Sequence, residues 1–310
     1  LRQSVRDNAD IVRAWRVLFA HVATDGRVRR PNVDANVLRA SARPIVVVIR
    51  IEGQIEEFET ADLQFKVLTV LEDARNAGLN ISGVEIDHDC ASARLARYAR
   101  FLAATRAALS KDTKLFITAL PAWFASPLLP ELLAQADEAI LQVHAVANPK
   151  QGLFDLNQAA AWAERFNAIT PHPFRVALPT YGSRIRYDEF GNLASVESEV
   201  PLSNGGHGGT ELVVAPADVQ TFLRALATRQ LTWLRGIAWF RLPTSDDGRA
   251  WHINTWRTLA TGSPLHPDLR VTARPAESPG LFHILLLNKG ETDAVWPRTI
   301  NVPDYCGMFD

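Results

Sequence analysis

Seven short apolar runs, each followed by a loop and then by a stretch with helical spacing, constrain this chain more than any other feature. The runs are VLFAHV (17–22), IVVVIRI (45–51), VEIDHD (84–89), LFITALP (115–121), AILQVHAV (139–146), RVALPTYG (175–182) and GIAWFRLP (236–243). Their length and β-branched content fit buried strands. Between them, ADLQFKVLTVLEDARNAG and SARLARYARFLAATRAALS are the clearest amphipathic helices, the first stopping at Gly78 as helices often do. Strand and helix in alternation imply parallel strands joined by right-handed crossovers.

The chain opens on a helical segment, DNADIVRAW, so a further strand is expected ahead of Leu1, which brings the count to that of a closed α/β barrel of the TIM (β/α)8 type. An open doubly wound sheet is the competing architecture, but no GxGxxG turn follows an early strand. The barrel is therefore the expected fold, with residues 1–265 forming it. Residues 266–310 change character to alternating runs, DLRVTARPA, LFHILLLNKG and PRTINVP, and read as a small β-rich appendage that packs on the barrel or begins a truncated domain. The long insertion at 183–216, with its FGN turn and GGHGG, reads as a lid or pocket wall.

Composition narrows the function. Lys plus Arg number 33 against 34 Asp plus Glu, and no basic run is interleaved with aromatics, so nucleic acid is not an expected partner. No apolar stretch reaches the roughly 20 residues that cross a bilayer. Two cysteines, Cys90 and Cys306, are too few for a disulfide framework or a four-cysteine zinc site, and the spacing of acids matches no metal motif, so neither metal nor cofactor is expected.

In a barrel, functional groups gather at the C-terminal ends of the strands, where this chain carries Arg50, Glu52, Asp87, Asp89, Trp123, His144, Tyr181 and Arg241. Side chains alternate along a strand, so Glu85, Asp87 and Asp89 share one face and Val84, Ile86 and His88 the other. Turned toward the helices, three carboxylates would be buried in an apolar layer at several kcal/mol each, so they are expected to line the lumen. Acids about 6.8 Å apart raise one carboxyl's pKa while a better solvated one stays ionised, the division that general acid catalysis uses. Asp87 and Asp89 are read as the catalytic pair. Glu85, the deepest, is read either as part of the pocket or as the partner of Arg50 or another lumen cation. The same parity turns Gln142 and His144 inward. Trp123 offers a flat face for a sugar or, alternatively, packs in the core.

The stretches SGVEIDHDC, ITALPAW, LQVHAV and LLNKGETDA resemble, over nearly the whole chain, a bacterial family catalogued as domain of unknown function 3142. The order of elements also resembles the family-18, chitinase-like glycoside hydrolases, whose fourth strand carries DGxDxDxE. Laid on that motif, Ser82 falls at the first Asp, Glu85 and Asp87 at the next two, and Asp89 at the Glu that donates the proton. The resemblance implies a glycoside-hydrolase-like barrel acting on an oligo- or polysaccharide, with Asp89 as donor and Asp87 as its electrostatic partner or the group that orients an acetamido nucleophile. It implies Tyr181, His144, Gln142 and Trp239 or Phe240 as pocket wall, with Arg241, Arg50 and Glu52 at its rim. Asp89 is one methylene shorter than the family's Glu, and Ser82 and Ala145 replace two of its acids, so a noncatalytic glycan-binding barrel is the alternative. Likeness to envelope and secreted carbohydrate-active proteins implies a periplasmic, lipid-anchored or secreted location. The sequence fixes no oligomeric state.

Overall fold

A computed structural model describes residues 1–55, 58–144, 152–190, 192–197, 209–278, 280–297 and 299–300. In chain order the elements are α1 (Arg2–Asn8), β1 (Trp15–Val22), β2 (Val28–Arg29), α2 (Ala35–Ala40), β3 (Ile45–Ile51), α3 (Thr60–Asn76), β4 (Ile81–His88) and α4 (Leu95–Ala108). There follow β5 (Lys114–Ala119), α5 (Leu129–Leu133), β6 (Glu138–Gln142), α6 (Leu156–Ile169), β7 (Phe174–Pro179), β8 (Ser183–Tyr187), β9 (Leu193–Glu197) and β10 (Thr210–Leu212). The chain continues through α7 (Pro216–Ala227), β11 (Leu234–Phe240), α8 (Ile253–Ala260), β12 (Leu269–Pro275) and β13 (Phe282–Asn288).

The main sheet runs β11-β7-β6-β5-β4-β3-β1-β2. Every apolar run singled out in the sequence contributes one of its parallel strands, AILQVHAV only as far as Gln142, with 145 and 146 outside the described residues; β2 is antiparallel, a short return paired to His21 and Val22. The fold is that of a (β/α)8-type barrel in which, among the described residues, β1 and β11 make no hydrogen bonds to each other. The parallel strands therefore number seven, and the strand expected ahead of Leu1 belongs to no described residue.

Periodicity explains the layers. On α3, Leu63, Val67, Val70, Leu71 and Ala74 recur at helical spacing and are buried, as are Leu95, Tyr98, Phe101, Leu102 and Thr105 on α4. They meet the outward faces of the strands, where Val47, Ile49, Val84, Ile86, Leu115, Ile117 and Leu141 are almost wholly covered. Each such side chain contributes about 1.5–3 kcal/mol on leaving water. His88 belongs to this layer too: its Nδ1 lies 3.1 Å from the Ile51 carbonyl and its ring meets Tyr98 edge-on at 5.1 Å. Burial holds the His88 pKa below that of a free imidazole.

The insertion after β7 is an antiparallel sheet, β10-β8-β9, at the C-terminal end of the barrel strands. Of the FGN segment, Phe190 and Asn192 lie between β8 and β9 and Gly191 is outside the described residues, as is GGHGG with His207. Arg184 binds Glu211 at 2.6 Å, and Arg249, in the loop after β11, binds both Glu211 at 3.3 Å and buried Glu197 at 3.5 Å. Gly182 sits where this sheet meets the barrel, and a Cβ there would stand 2.7 Å from the Leu212 carbonyl oxygen.

Beyond α8 the chain forms one hairpin, β12–β13, with Leu269, Val271, Phe282, Leu285 and Leu287 exposed. Of the three appendage strands expected, two are present; residues 297, 299 and 300 of PRTINVP are not strand, and 301–310 lie outside the described residues. The hairpin's base is tied to α8 through Asp293, which accepts from the His252 amide at 2.6 Å and donates its own amide to Thr255 at 2.7 Å. No helix among the described residues is long and apolar enough to cross a membrane. Cys90 is a buried free thiol, its pKa pushed up to about 11 by burial, and Cys306 lies outside the described residues.

Candidate functional site

Charged side chains fill the lumen in two tiers. At the base, Arg16 reaches from β1 to Glu85 on β4 and to Glu138 on β6 at 3.3 Å, and its guanidinium lies 4.7 Å from the centre of the Phe116 ring. Arg175 binds Glu138 at 2.6 Å, and Thr118 donates to Glu85 at 3.1 Å. This tier links β1 to β4 and β6 across the lumen, strands with which it shares no backbone ladder. Buried ion pairs of this kind hold only when every partner is present, since removing one strands a charge at about 3–5 kcal/mol. Glu85 is 5% exposed with both oxygens engaged, so the reading of it as a ligand contact gives way to the structural one, with Arg16 rather than Arg50 as its cation.

The upper tier opens at the C-terminal end. Arg50 and Asp87 are register partners on β3 and β4, and Arg50 donates to Asp87 Oδ2 at 3.0 Å and to Asp89 Oδ2 at 3.2 Å. The other oxygen of each aspartate, Oδ1, is buried and has no partner among the described atoms. Burial first, and the charge of Asp89 second, push the Asp87 carboxyl up to about 6 despite Arg50 beside it. Glu52, one step beyond β3, shares a 3.2 Å hydrogen bond with His21, which pairs in register with Arg50. Gly53 lets the β3 and β4 loops close on each other: a Cβ there would lie 2.3 Å from the Asp89 carbonyl oxygen.

The facing wall is aromatic. His144 is 4% exposed, meets Tyr181 edge-on at 6.0 Å and stacks on Phe240 at 5.6 Å. Its Nδ1 lies 3.1 Å from the Ala177 carbonyl, and burial lowers its pKa to about 4, so the ring is neutral through the physiological range. Gln142 donates to the His144 carbonyl at 2.9 Å. The Arg241 guanidinium lies 4.8 Å from the Tyr181 ring centre and is neutralised by Asp247, with Nε to Oδ2 at 2.7 Å. Phe240 is 43% exposed and presents an open ring at this end of the lumen.

Two sequence expectations are corrected. Trp123 is 0% exposed, packs edge-on against Tyr98 and donates from Nε1 to the Cys90 carbonyl at 2.8 Å, so it has no free face for a ligand. Trp239 pairs in register with Leu178, which is wholly buried, and packs against the helix-side core, whereas Phe240 pairs with Pro179 and meets His144. Parity along β11 thus selects Phe240 over Trp239. The structure brings Arg50, Glu52, Asp87 and Asp89 together on one wall and Gln142, His144, Tyr181 and Arg241 on the other. Sequence reasoning missed His21, Asp247 and the base ions Arg16, Glu138 and Arg175; Arg16 and His21, five residues apart, share the lumenal face only because the register of β1 against β3 slips between Leu18 and Ala20, which parity along the sequence does not show. Among the described residues no three His, Cys, Asp or Glu side chains are grouped to hold a metal ion.

The family described as "Domain of unknown function (DUF3142)" matches residues 41–245. Solved structures share the fold at low identity. A chitinase from Chromobacterium violaceum is 13% identical with a TM-score of 0.56, over 84% of this chain and 94% of that one. A class V chitinase from Pseudomonas fluorescens is 12% identical with a TM-score of 0.59, over 84% and 95%. The spore cortex-lytic enzyme SleL of Bacillus cereus is 13% identical with a TM-score of 0.56, over 84% and 70%. No curated protein matches the sequence.

Proposed function

This chain belongs to the DUF3142 family, whose label carries no chemistry, and we propose that its barrel binds an oligo- or polysaccharide at the upper tier and cleaves it by acid-assisted hydrolysis. The observation that carries the reading is the Arg50-bridged pair Asp87 and Asp89, where one carboxyl keeps its proton to about pH 6 beside a second that is more open to solvent. The side chain of Asp89 is 30% exposed against 15% for Asp87, and Asp89 lies farther along the chain past β4. Asp87 is the proton reservoir and Asp89 the group that delivers the proton to the glycosidic oxygen. The bond from that oxygen to the anomeric carbon breaks, water adds to the carbon, and its proton passes to a carboxylate of the tier, with Glu52 as the second acid. Phe240 is the platform for a pyranose ring, with Tyr181, His144, Gln142 and Arg241 shaping the wall around it. The chitinase and SleL likenesses support the carbohydrate class through the fold they share. Carbohydrate processing outside the cytoplasm, at the envelope or beyond it, is the setting that suits this reading.

One observation favours a noncatalytic version: the guanidinium bonded to both aspartates favours their ionised forms, which suits recognition better than proton donation. Release of new reducing ends from a panel of N-acetylated, deacetylated and plain glycans separates the two. Cleavage by the intact chain that is lost in Asp89→Asn supports hydrolysis. Saturable binding without cleavage by the intact chain, weakened but surviving in Asp89→Asn, supports the binding barrel.

A further inference from the structure

Helices and parallel strands of the barrel do not match in number. Among the described residues, α1 to α8 alternate with seven parallel strands, β1, β3 to β7 and β11, and the alternation has a helix at each end. In a parallel α/β fold each helix follows one strand and runs back beside it to the start of the next. α8 holds that place after β11, and α1 holds it before β1. The two are joined at their lower ends, where Arg257 of α8 donates to the Asp7 carbonyl at 3.0 Å and to both oxygens of Asp10 at 3.0 and 2.6 Å. The ring of helices is thus bonded together where the ring of strands is not. The position of a strand feeding α1 falls in that seam, between β11 and β1.

The edges that flank the seam lack partners. Trp15 donates its amide to the Pro44 carbonyl at 2.9 Å, and backbone groups alternate along a strand, so those of Arg16 and Leu18 point away from β3. Thr180 donates to the Phe240 carbonyl at 2.9 Å, so the backbone groups of Ile237 and Trp239 likewise point away from β7. Among the described residues none of these four amides has an acceptor. The side chains around them are apolar and only partly covered. Leu18 is 39% exposed, and no residue of β11 is fully buried, whereas β7 beside it is buried at five of six positions. Bare peptide groups bordered by apolar side chains are a template for a further strand. β2 closes the mouth end of this edge through His21 and Val22, which leaves residues 15–20 free, about 20 Å of strand.

We propose that the seam between β1 and β11 is a strand-docking groove, and that its occupant is a segment of the same polypeptide joined to α1 ahead of Leu1. The segment is an extended run of about six residues, apolar on both faces as strands inside a parallel sheet are. Its apolar faces meet Leu18 and Ala238 on the lumen side and Val17 and Trp239 on the helix side. It lies parallel to both edges, because α1 runs from the mouth to the base and the segment must reach the mouth to enter it. Its last inward side chain stands beside Phe240, so the occupant also completes the wall of the candidate site. The inference concerns the barrel itself and does not rest on the glycan reading.

Hydrogen exchange followed by NMR on the chain as it stands is the first arm of the test. The amides of Arg16, Leu18, Ile237 and Trp239 are expected to exchange at least about tenfold faster than those of Trp15, Val17, Ala238 and Phe240, which donate into the ladders. Equal protection of the two sets would mean that the edges already have acceptors, and overturns the proposal. The second arm fuses a probe, IVVVIRI, the sequence of β3, ahead of Leu1 through a loop of about four Gly and Ser residues. The four amides are then expected to gain protection and Tm to rise by at least about 3 °C, and neither is expected when proline replaces the middle valine of the probe. A fused probe that leaves the four amides unprotected overturns the proposal. Protection produced equally by the same peptide fused after Asp310, or added free, overturns the assignment to a segment joined to α1.

Discussion

Replacing Asp87 by Asn gives a stability change whose size and sign follow from the site. In the folded chain the carboxyl titrates near 6 instead of the ordinary 3.8, chiefly because it is buried and secondly because Asp89 is beside it. Below about pH 3.8 both folded and unfolded chains hold this proton and the site costs nothing. Between there and about pH 6 the unfolded chain releases it first, so stability falls as pH rises, and above about 6 the full penalty is present. A shift of about 2 units corresponds to about 3 kcal/mol. The side chain is 15% exposed, so solvent screening removes little of this. Asn keeps the shape and still accepts from Arg50, but carries no charge at any pH. The variant is therefore expected to gain about 3 kcal/mol relative to the wild type between about pH 4 and pH 7, whatever constant offset the substitution brings. Urea unfolding followed by tryptophan fluorescence across that range measures it. Parallel curves for the two proteins from pH 4 to 7 would refute the assignment of a raised carboxyl to Asp87.

Other variants probe neighbouring parts of the account. Trp123→Phe leaves the buried Cys90 carbonyl without its donor and is expected to cost about 1–3 kcal/mol in denaturant unfolding with no change in oligosaccharide affinity. Gly53→Ala puts a methyl into the Asp89 carbonyl, since its Cβ would lie 2.3 Å away, and is expected to lower Tm and to weaken ligand binding together. Phe240→Ala removes the ring stacked on His144 and is expected to raise the His144 pKa from about 4 toward the ordinary 6.5, read by NMR of the imidazole carbons, while reducing sugar affinity.

The barrel was legible because each strand is an apolar run long enough to be covered on its outer face, and α3 and α4 carry their buried residues at regular helical spacing. The inward ladder was legible for the same reason, since parity alone separates Asp87 and Asp89 from Ile86 and His88. What escaped depends on distance along the chain. Arg16 meets Glu138 from 122 residues away, and Arg175 reaches the same carboxylate from another strand, pairings that no local pattern announces. Trp123 was ambiguous because a short helical turn at Pro121–Ala125 follows β5 and folds its indole back beneath the β4 loop. Trp239 and Phe240 are adjacent, so choosing between them needed the register of β11 against β7, which contacts decide and composition does not. The antiparallel β2 is only two residues long, too short to leave a periodic signal.

The most direct measurement follows the carboxyl carbons themselves. With aspartate 13C-labelled at Cγ, the Asp87 and Asp89 resonances, assigned through their Asn variants, are recorded during titration with glucosamine and N-acetylglucosamine oligomers. Both resonances are expected to move saturably with one oligomer series, with the same midpoint, while those of Asp10 and Asp268, paired with Arg257 and Arg270 outside the lumen, stay still. Saturable binding that leaves the Asp87 and Asp89 signals in place would put the ligand elsewhere and contradict the claim that this acidic pair is the functional site.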